Sequence, residues 1–237
     1  DPEMSRGLGD VYKRQVQCLE DFDIPLYLSH TITDIRGKAR VEQVVVSQVD
    51  DQRRPIPGTE MTFDCDTVLL SVGLIPENEL TRDAGIVMDP RTNGALVYEN
   101  RETSVPGIFA CGNALHVHDL VDFVTAESMA AGAAAADYVQ AGELDRERTV
   151  QVTTNAHIGY TVPQRFRADS DGVEFYFRVR RVFKESRIQV TCGDQVIASF
   201  KREHMAPGEM ETIKIPKALL ARIDGDTLHI AAEEVQA

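Results

Sequence analysis

The chain has 237 residues, 43% of them hydrophobic, and carries 25 Lys and Arg against 38 Asp and Glu, a formal net charge of −13. That length holds one large domain or two smaller ones, and so acidic a balance excludes the concentrated basic face that a nucleic-acid partner requires. Cys18, Cys65, Cys111 and Cys192 are too scattered for a Cys-x-x-Cys, so neither a zinc ribbon nor a redox dithiol is encoded; with no signal-peptide pattern and no apolar run long enough for a membrane span, they read as reduced thiols of a cytoplasmic protein.

Taken in order, the first residues do not read as a folding element. Asp10-Val11-Tyr12-Lys13-Arg14-Gln15 is one reading frame of GAT-GTG-TAT-AAG-AGA-CAG, which resembles a sequencing-library transposon end. Residues 1–15 are therefore expected to be a non-native tail, set aside from fold reasoning, with the parent protein beginning upstream of Val16. The other reading is an ordinary polar tail or helix.

Residues 16–23 read as the end of a helix, and Ile24 to Ile35 as a strand in which Leu26, Leu28 and Ile32 oppose more polar neighbours. After a turn at Gly37-Lys38, the valine-rich run Val41 to Val49 makes a second strand. A loop with two prolines comes next, and Met61 to Asp64 closes an antiparallel meander. Thr67-Val68-Leu69-Leu70-Ser71-Val72-Gly73 is continuously apolar, as expected of a strand buried on both faces. Gly73 and the nearby Pro76 permit close backbone approach to a ligand or simply make a turn. Leu80 to Ala84 reads as a short helix. Asp89-Pro90 and Asn93-Gly94 mark turns, and Ala95 to Tyr98 an edge strand.

The stretch with most to say runs from Thr103 to Val139. Ile108, Phe109 and Ala110 form a short apolar strand that stops at Gly112-Asn113. After Ala-Leu-His-Val-His-Asp comes a helix of small residues, from about Asp122, a candidate N-cap, to Val139. Strand, glycine turn and helix N-terminus together favour an electron-rich or anionic ligand.

Thr103-Ser104, Pro106-Gly107-Ile108-Phe109-Ala110 and Gly112-Asn113 resemble the second flavin-binding motif of the two-dinucleotide-domain flavoproteins, in the thioredoxin-reductase-like branch of the pyridine nucleotide-disulfide oxidoreductases. Leu74-Ile75-Pro76 after the apolar run resembles the segment by which that family's chain returns to its FAD domain. The resemblance implies FAD and NAD(P) as cofactors and assigns Gly73, Pro76, Gly112, Asn113 and the helix residues Val124 and Thr125 to the FAD site. The family carries an acidic residue where Asn113 stands; an amide still offers an acceptor and donors to a ribityl hydroxyl. The resemblance also places the early meander at the end of the NAD(P)-binding domain. The family's Gly-x-Gly-x-x-Gly motifs are absent, and Gly7-Leu8-Gly9 has no buried strand before it.

His116, His118 and Asp119 form His-x-His-Asp. Two imidazoles so spaced can face one metal ion, but no third strong ligand is identifiable, so no metal is assigned. A polar loop that caps the next helix is the plain reading. Between the asparagine and the flavin-facing helix, His116 or His118 could also handle a proton near neutral pH as a catalytic group. Cys111 is read as packing.

Beyond the charged run Gly142 to Arg148 the pattern changes to period two: 173–180, 188–191, 195–200, 211–215 and 227–231 read as short strands of a β-sandwich suited to docking a partner subunit. The fold class expected is thus α/β, the C-terminal part of a two-dinucleotide-domain flavoprotein followed by a small all-β, sandwich-like domain. The divisions are 1–15 tail, 16–65 end of the NAD(P)-binding domain, 66–146 C-terminal half of the FAD-binding domain, and 147–237 β domain. The function expected is hydride transfer between NAD(P)H and an unidentified small-molecule or protein redox partner through a flavin. The alternative is a non-catalytic subunit or interaction module that works through the β domain.

Overall fold

The computed structural model describes residues 17–71, 73–142 and 148–235; the expected tail at 1–15 lies outside the described residues. The chain is of mixed α/β type and divides into two compact units, Asp1–Val72 and Gly73–Ala237.

In the first unit, residues 17–21 are helical. Three strands come next, β1 (His30–Gly37), β2 (Val41–Gln48) and β3 (Met61–Asp64), paired antiparallel in the order β1-β2-β3. The β-branched centre of β2 buries Val44 and Val45. The first strand starts later than the sequence alternation suggests, at His30 instead of Ile24. Ser29 sits at φ +56, which breaks an extended run, and Ile24, Leu26 and Leu28 are exposed.

The apolar run Thr67 to Gly73 corrects the sequence reading. Among the described residues it joins no ladder, and Leu69 is 91% and Ile75, just beyond, 83% exposed. A strand meant to be covered on both faces needs neighbours that accept and donate its backbone hydrogen bonds. No described strand pairs with this run, and Leu69 and Leu70 are left exposed.

The second unit opens with α1 (Glu79–Asp83) and a long irregular segment that leads through a 3₁₀ turn at Gly112–Ala114 into α2 (Val121–Ala141). The expected strands at Ala95 to Tyr98 and Ile108 to Ala110 shrink to the single bridges Met88↔Ala95 and Glu102↔Phe109. The segment is nevertheless tightly packed around Ile86, Ala95, Val97 and Leu115. Gly94 is required there, because a Cβ would lie 1.8 Å from the Leu115 carbonyl oxygen.

The remaining strands are β4 (Thr149–Thr154), β5 (Ile158–Val162), β6 (Arg165–Arg167), β7 (Gly172–Val179), β8 (Ser186–Cys192), β9 (Gln195–Arg202), β10 (Glu211–Pro216) and β11 (Thr227–Glu234), with the short helix α3 (Lys217–Leu220) between the last two. They form a sheet of order β10-β7-β5 and another of order β6-β4-β11-β8-β9. Alternate residues from both sheets, among them Phe166, Phe175, Phe177, Ile188 and Ile230, build one apolar core. All five alternating stretches are strands; β4 to β6, shorter and interrupted by Asn155 and Pro163, were not marked by the alternation.

These strands pack directly on the segment that precedes α2. Gln164 accepts the Val97 N–H at 3.0 Å and donates to Asp89 at 3.0 Å. Arg167 pairs with Glu99, and its backbone N–H donates to the same carboxylate at 3.0 Å. Gly73–Ala237 is therefore held as one body.

Candidate functional site

Helix α2 has a run of small residues from Ala130 to Ala136, and its buried face carries Glu127, Ala131 and Ala134. The spacing i, i+4, i+7 puts all three on one stripe. Glu127 is thus carried inward by its own helix, to 1% exposure, where an ionised carboxylate survives only if it is paired and hydrogen-bonded.

Four donors meet it. Arg101 Nε (2.9 Å) and His116 Nε2 (3.1 Å) reach Oε1; His118 Nε2 (3.0 Å) and the Gly112 N–H (2.8 Å) reach Oε2. Burial pushes the Glu127 carboxyl up, but the bonds from His116 and His118 and the charge of Arg101 outweigh it and hold the group well below the usual carboxylate range. An ionised carboxylate accepts only, so each Nε2 presents a proton to it. Both Nδ1 atoms are buried without a partner among the described residues. Burial lowers the pKa of His116, the bond and charge of Glu127 opposing it only in part, so this ring is neutral at pH 7.

Aromatic packing completes the enclosure. The two imidazole rings lie 4.2 Å apart, and Tyr176 from β7 packs against both at 5.7 and 5.8 Å, with the Arg101 guanidinium 5.5 Å over its ring. Burial, with the nearby Glu174 charge, pushes the Tyr176 phenol up to about 12. The loop is pinned from the same sheet: Arg178 donates to the Val117 carbonyl at 3.1 Å and to Asp119 at 3.3 Å, and Asp119 accepts the Met210 N–H at 3.0 Å.

His116, His118 and Glu127 have ligand atoms within 4.8 Å of one another, so a third metal-ligand type does join the two histidines that the sequence singled out. The Glu127 charge is matched by Arg101, however, and all four acceptor directions of the carboxylate are taken by N–H groups. The arrangement is a hydrogen-bond network in which a divalent ion would find no uncompensated negative charge and would have to displace the Arg101 guanidinium from Glu127.

The residues expected around a flavin lie on the outer side of this network. Gly112, at φ +68, turns the chain where no ordinary side chain is comfortable, and Asn113 beside it is exposed, its Oδ1 accepting the His118 N–H at 3.1 Å. Helix α2 starts at Val121 with Leu120 in the N-cap position, so no side chain caps it, and Asp122 falls in the first turn instead of at the cap. Val124 is half-buried, close to the Gly112 turn; Thr125 is exposed and spends its hydroxyl proton on the Val121 carbonyl at 3.0 Å. Gly73 is exposed, and Pro76 lines a cleft that also includes His116.

Arg101, Glu127 and Tyr176 escaped the sequence reading. A lone carboxylate on the alanine stripe of α2 was the one available signal.

The pyridine nucleotide-disulphide oxidoreductase family matches the chain over residues 4–157, more than half its length. The chain belongs to that family. The match spans β1 to β4, α2 and the whole Glu127–histidine loop. Among curated relatives, the chain is similar to an NADH oxidase of Streptococcus pneumoniae, 32% identical over 110 residues, 46% of this chain and 21% of the relative. An NADH oxidase of Streptococcus pyogenes is 28% identical over 111 residues, 46% of this chain and 21% of the relative. One of Methanocaldococcus jannaschii is 31% identical over 109 residues, 46% of this chain and 20% of the relative. The chain spans about a fifth of the length of the curated relatives it matches. No helix of the described residues is long and apolar enough to cross a membrane.

Proposed function

We propose that this chain forms part of an FAD-dependent oxidoreductase that passes hydride between NAD(P)H and an acceptor, and that the Gly112–Asn113 turn with the start of α2 is its flavin-contacting surface. The observation that carries the reading is an exposed Asn113 beside an uncapped N-terminus of a 21-residue helix. The free first-turn amides and the positive end of the helix dipole suit an electron-rich ring or a phosphate. The residues present therefore fit the group.

When bound, the flavin supplies the hydride-accepting chemistry, and the protein supplies position and electrostatics. Asn113, its Oδ1 already used internally, offers its amide N–H groups to a ribityl hydroxyl. Glu127 holds the Gly112 N–H and so fixes the turn from which Asn113 projects. His116 and His118 keep their protons on the Glu127 side, so they support the loop; a proton would leave the network only if a ring turned. The strands 149–234 are proposed as a C-terminal β domain whose Tyr176 and Arg178 brace that loop, and a partner subunit could use its outer surface.

The test is Asn113→Leu in the longer natural protein. Loss of a bond to a buried polar group costs about 1–3 kcal/mol, roughly tenfold to a hundredfold in FAD dissociation constant. Unchanged FAD affinity would remove the central assignment.

A further inference from the structure

The cleft beside this turn holds polar groups, Arg91, Tyr160 and Arg178, that the flavin reading does not use. It has a volume of about 260 Å³, and its walls come from three places: Leu74, Ile75 and Pro76; Arg91, Thr92 and Asn93; and Tyr160 with Arg178 from the sheet β10-β7-β5. His116 and Val117 close the side toward the Glu127 network.

Two of the walls are fixed. Asn78 is buried and donates from one amide to the Asn93 carbonyl at 2.9 Å and to the Ala114 carbonyl at 2.7 Å, so it ties the Arg91–Asn93 loop to the Gly112–Ala114 turn. Arg178 is braced by the Gly208 and Val117 carbonyls and by Asp119. Its Nε–H donates to the Tyr160 hydroxyl at 3.3 Å.

What remains uncommitted in the cleft is donor capacity. Arg91 is exposed at the cleft rim, its side chain 37% accessible, and meets one carboxylate, Asp89, through Nε at 3.4 Å; its two terminal nitrogens have no partner among the described residues. Asp89 is itself occupied by the Arg91 N–H and by Gln164. The Tyr160 hydroxyl proton faces only the Met210 sulfur at 3.9 Å, a weak acceptor that a ligand oxygen would displace. A planar guanidinium fork and a phenol are matched by a carboxylate. The third wall, Leu74, Ile75 and Pro76, is apolar and suits a short hydrocarbon tail. A chain of net charge −13 repels anions in general, so an anion held here is held by these groups.

We propose that the cleft binds a short-chain organic acid, its carboxylate on the Arg91 fork and the Tyr160 hydroxyl and its tail against Leu74, Ile75 and Pro76. This gives a substrate class to the oxidoreductase and rests on that reading only for the chemistry after binding; occupancy of the cleft itself needs no flavin.

The test is therefore made on the 237-residue chain without flavin, by calorimetric titration with butyrate, with its neutral isostere butyramide and with inorganic phosphate. Butyrate is expected to bind saturably in the millimolar range, with butyramide weaker by roughly tenfold, the effect of one charge-assisted pair, and phosphate weaker than butyrate for lack of a tail. Arg91→Gln is expected to lose roughly tenfold in butyrate affinity and Tyr160→Phe roughly threefold, with circular dichroism showing both variants folded as the parent is. A variant that does not fold is replaced by Ile75→Ser, at an exposed site, which is expected to weaken butyrate and leave phosphate unchanged. No saturable butyrate binding, equal affinity for butyramide, stronger binding of phosphate, or a folded Arg91→Gln that binds like the parent would each overturn the proposal. Those failures would leave the FAD assignment standing, and failure of Asn113→Leu would leave the cleft standing.

Discussion

Two stretches of this chain reverse what their compositions suggest. Thr67 to Pro76 is apolar and ends up largely exposed. Arg101 to Glu127 includes an arginine, two histidines and a glutamate, and all four are buried. Composition sets what a segment would gain by leaving water; partners decide whether it can. The apolar run lacks strands to complete its ladder. Arg101, His116, His118 and the Gly112 N–H all reach the Glu127 carboxylate, at 2.8 to 3.1 Å, and replace its lost hydration.

The contrast can be broken most sharply at Glu127. Glu127→Ala leaves the Arg101 guanidinium and the Gly112 N–H buried without their acceptor, and is expected to cost about 3–5 kcal/mol, read as a shift in urea midpoint at constant slope. A loss within experimental error would mean that the network is hydrated after all. Next comes Gly94→Ala. A Cβ there meets the Leu115 carbonyl at 1.8 Å, so the packed loop must open, at a cost of about 1–3 kcal/mol; an unchanged midpoint would show that the loop is loose.

Acid probes the same network more gently. The folded-state pKa of His116 lies below its ordinary 6.5, so the unfolded chain takes up this proton first. Stability should therefore fall as pH drops below about 6.5, by at most about 1.4 kcal/mol per pH unit for one group, and level off once the folded ring also protonates. Glu127, held far below the carboxylate range, stays ionised through that window and adds its own loss only at lower pH. Urea titrations at pH 7.5 and about 5.5 read the difference; greater stability at the lower pH would reverse the assignment of a neutral buried ring. The smallest effect is expected in the other stretch. Leu70→Ser and Leu69→Ser should change the midpoint by less than about 0.5 kcal/mol, as exposed positions do. A loss of over about 1 kcal/mol would show that these side chains are covered in solution.

The same contrast explains what was legible beforehand. Strand β7 announces itself because apolar and polar residues alternate along much of it, β2 because of its run of valines, and the later strands of the same kind as β7 could be read from period two. The Gly112–Asn113 turn was legible because its residues are contiguous. The Glu127 network was not: its members are separated by 9 to 26 residues and join only when α2 lays its alanine stripe inward. Arg178 lies on a strand whose pattern says which face is apolar and Tyr160 on one that the alternation does not mark, and nothing in either says that their polar tips line a cleft with Arg91. The run at Thr67 to Gly73 was misread because periodicity reports a segment's fitness for a sheet and carries no information about whether the other strands are at hand.

One feature of the five-stranded sheet bears on how the molecule assembles. Its central strand, β11, is the last in sequence; it pairs in parallel with β4, Thr227 opposite Gln151, and antiparallel with β8. Until β11 is in place the sheet is only two separate ribbons, β6-β4 and β8-β9, each too small to persist in water. A chain growing from a ribosome would hold these ribbons, with their buried phenylalanines still wet, until β11 itself had emerged, and closing a loop of that size is slow. The interval before closure, more than any weakness of the finished fold, is when this protein would most need a chaperone.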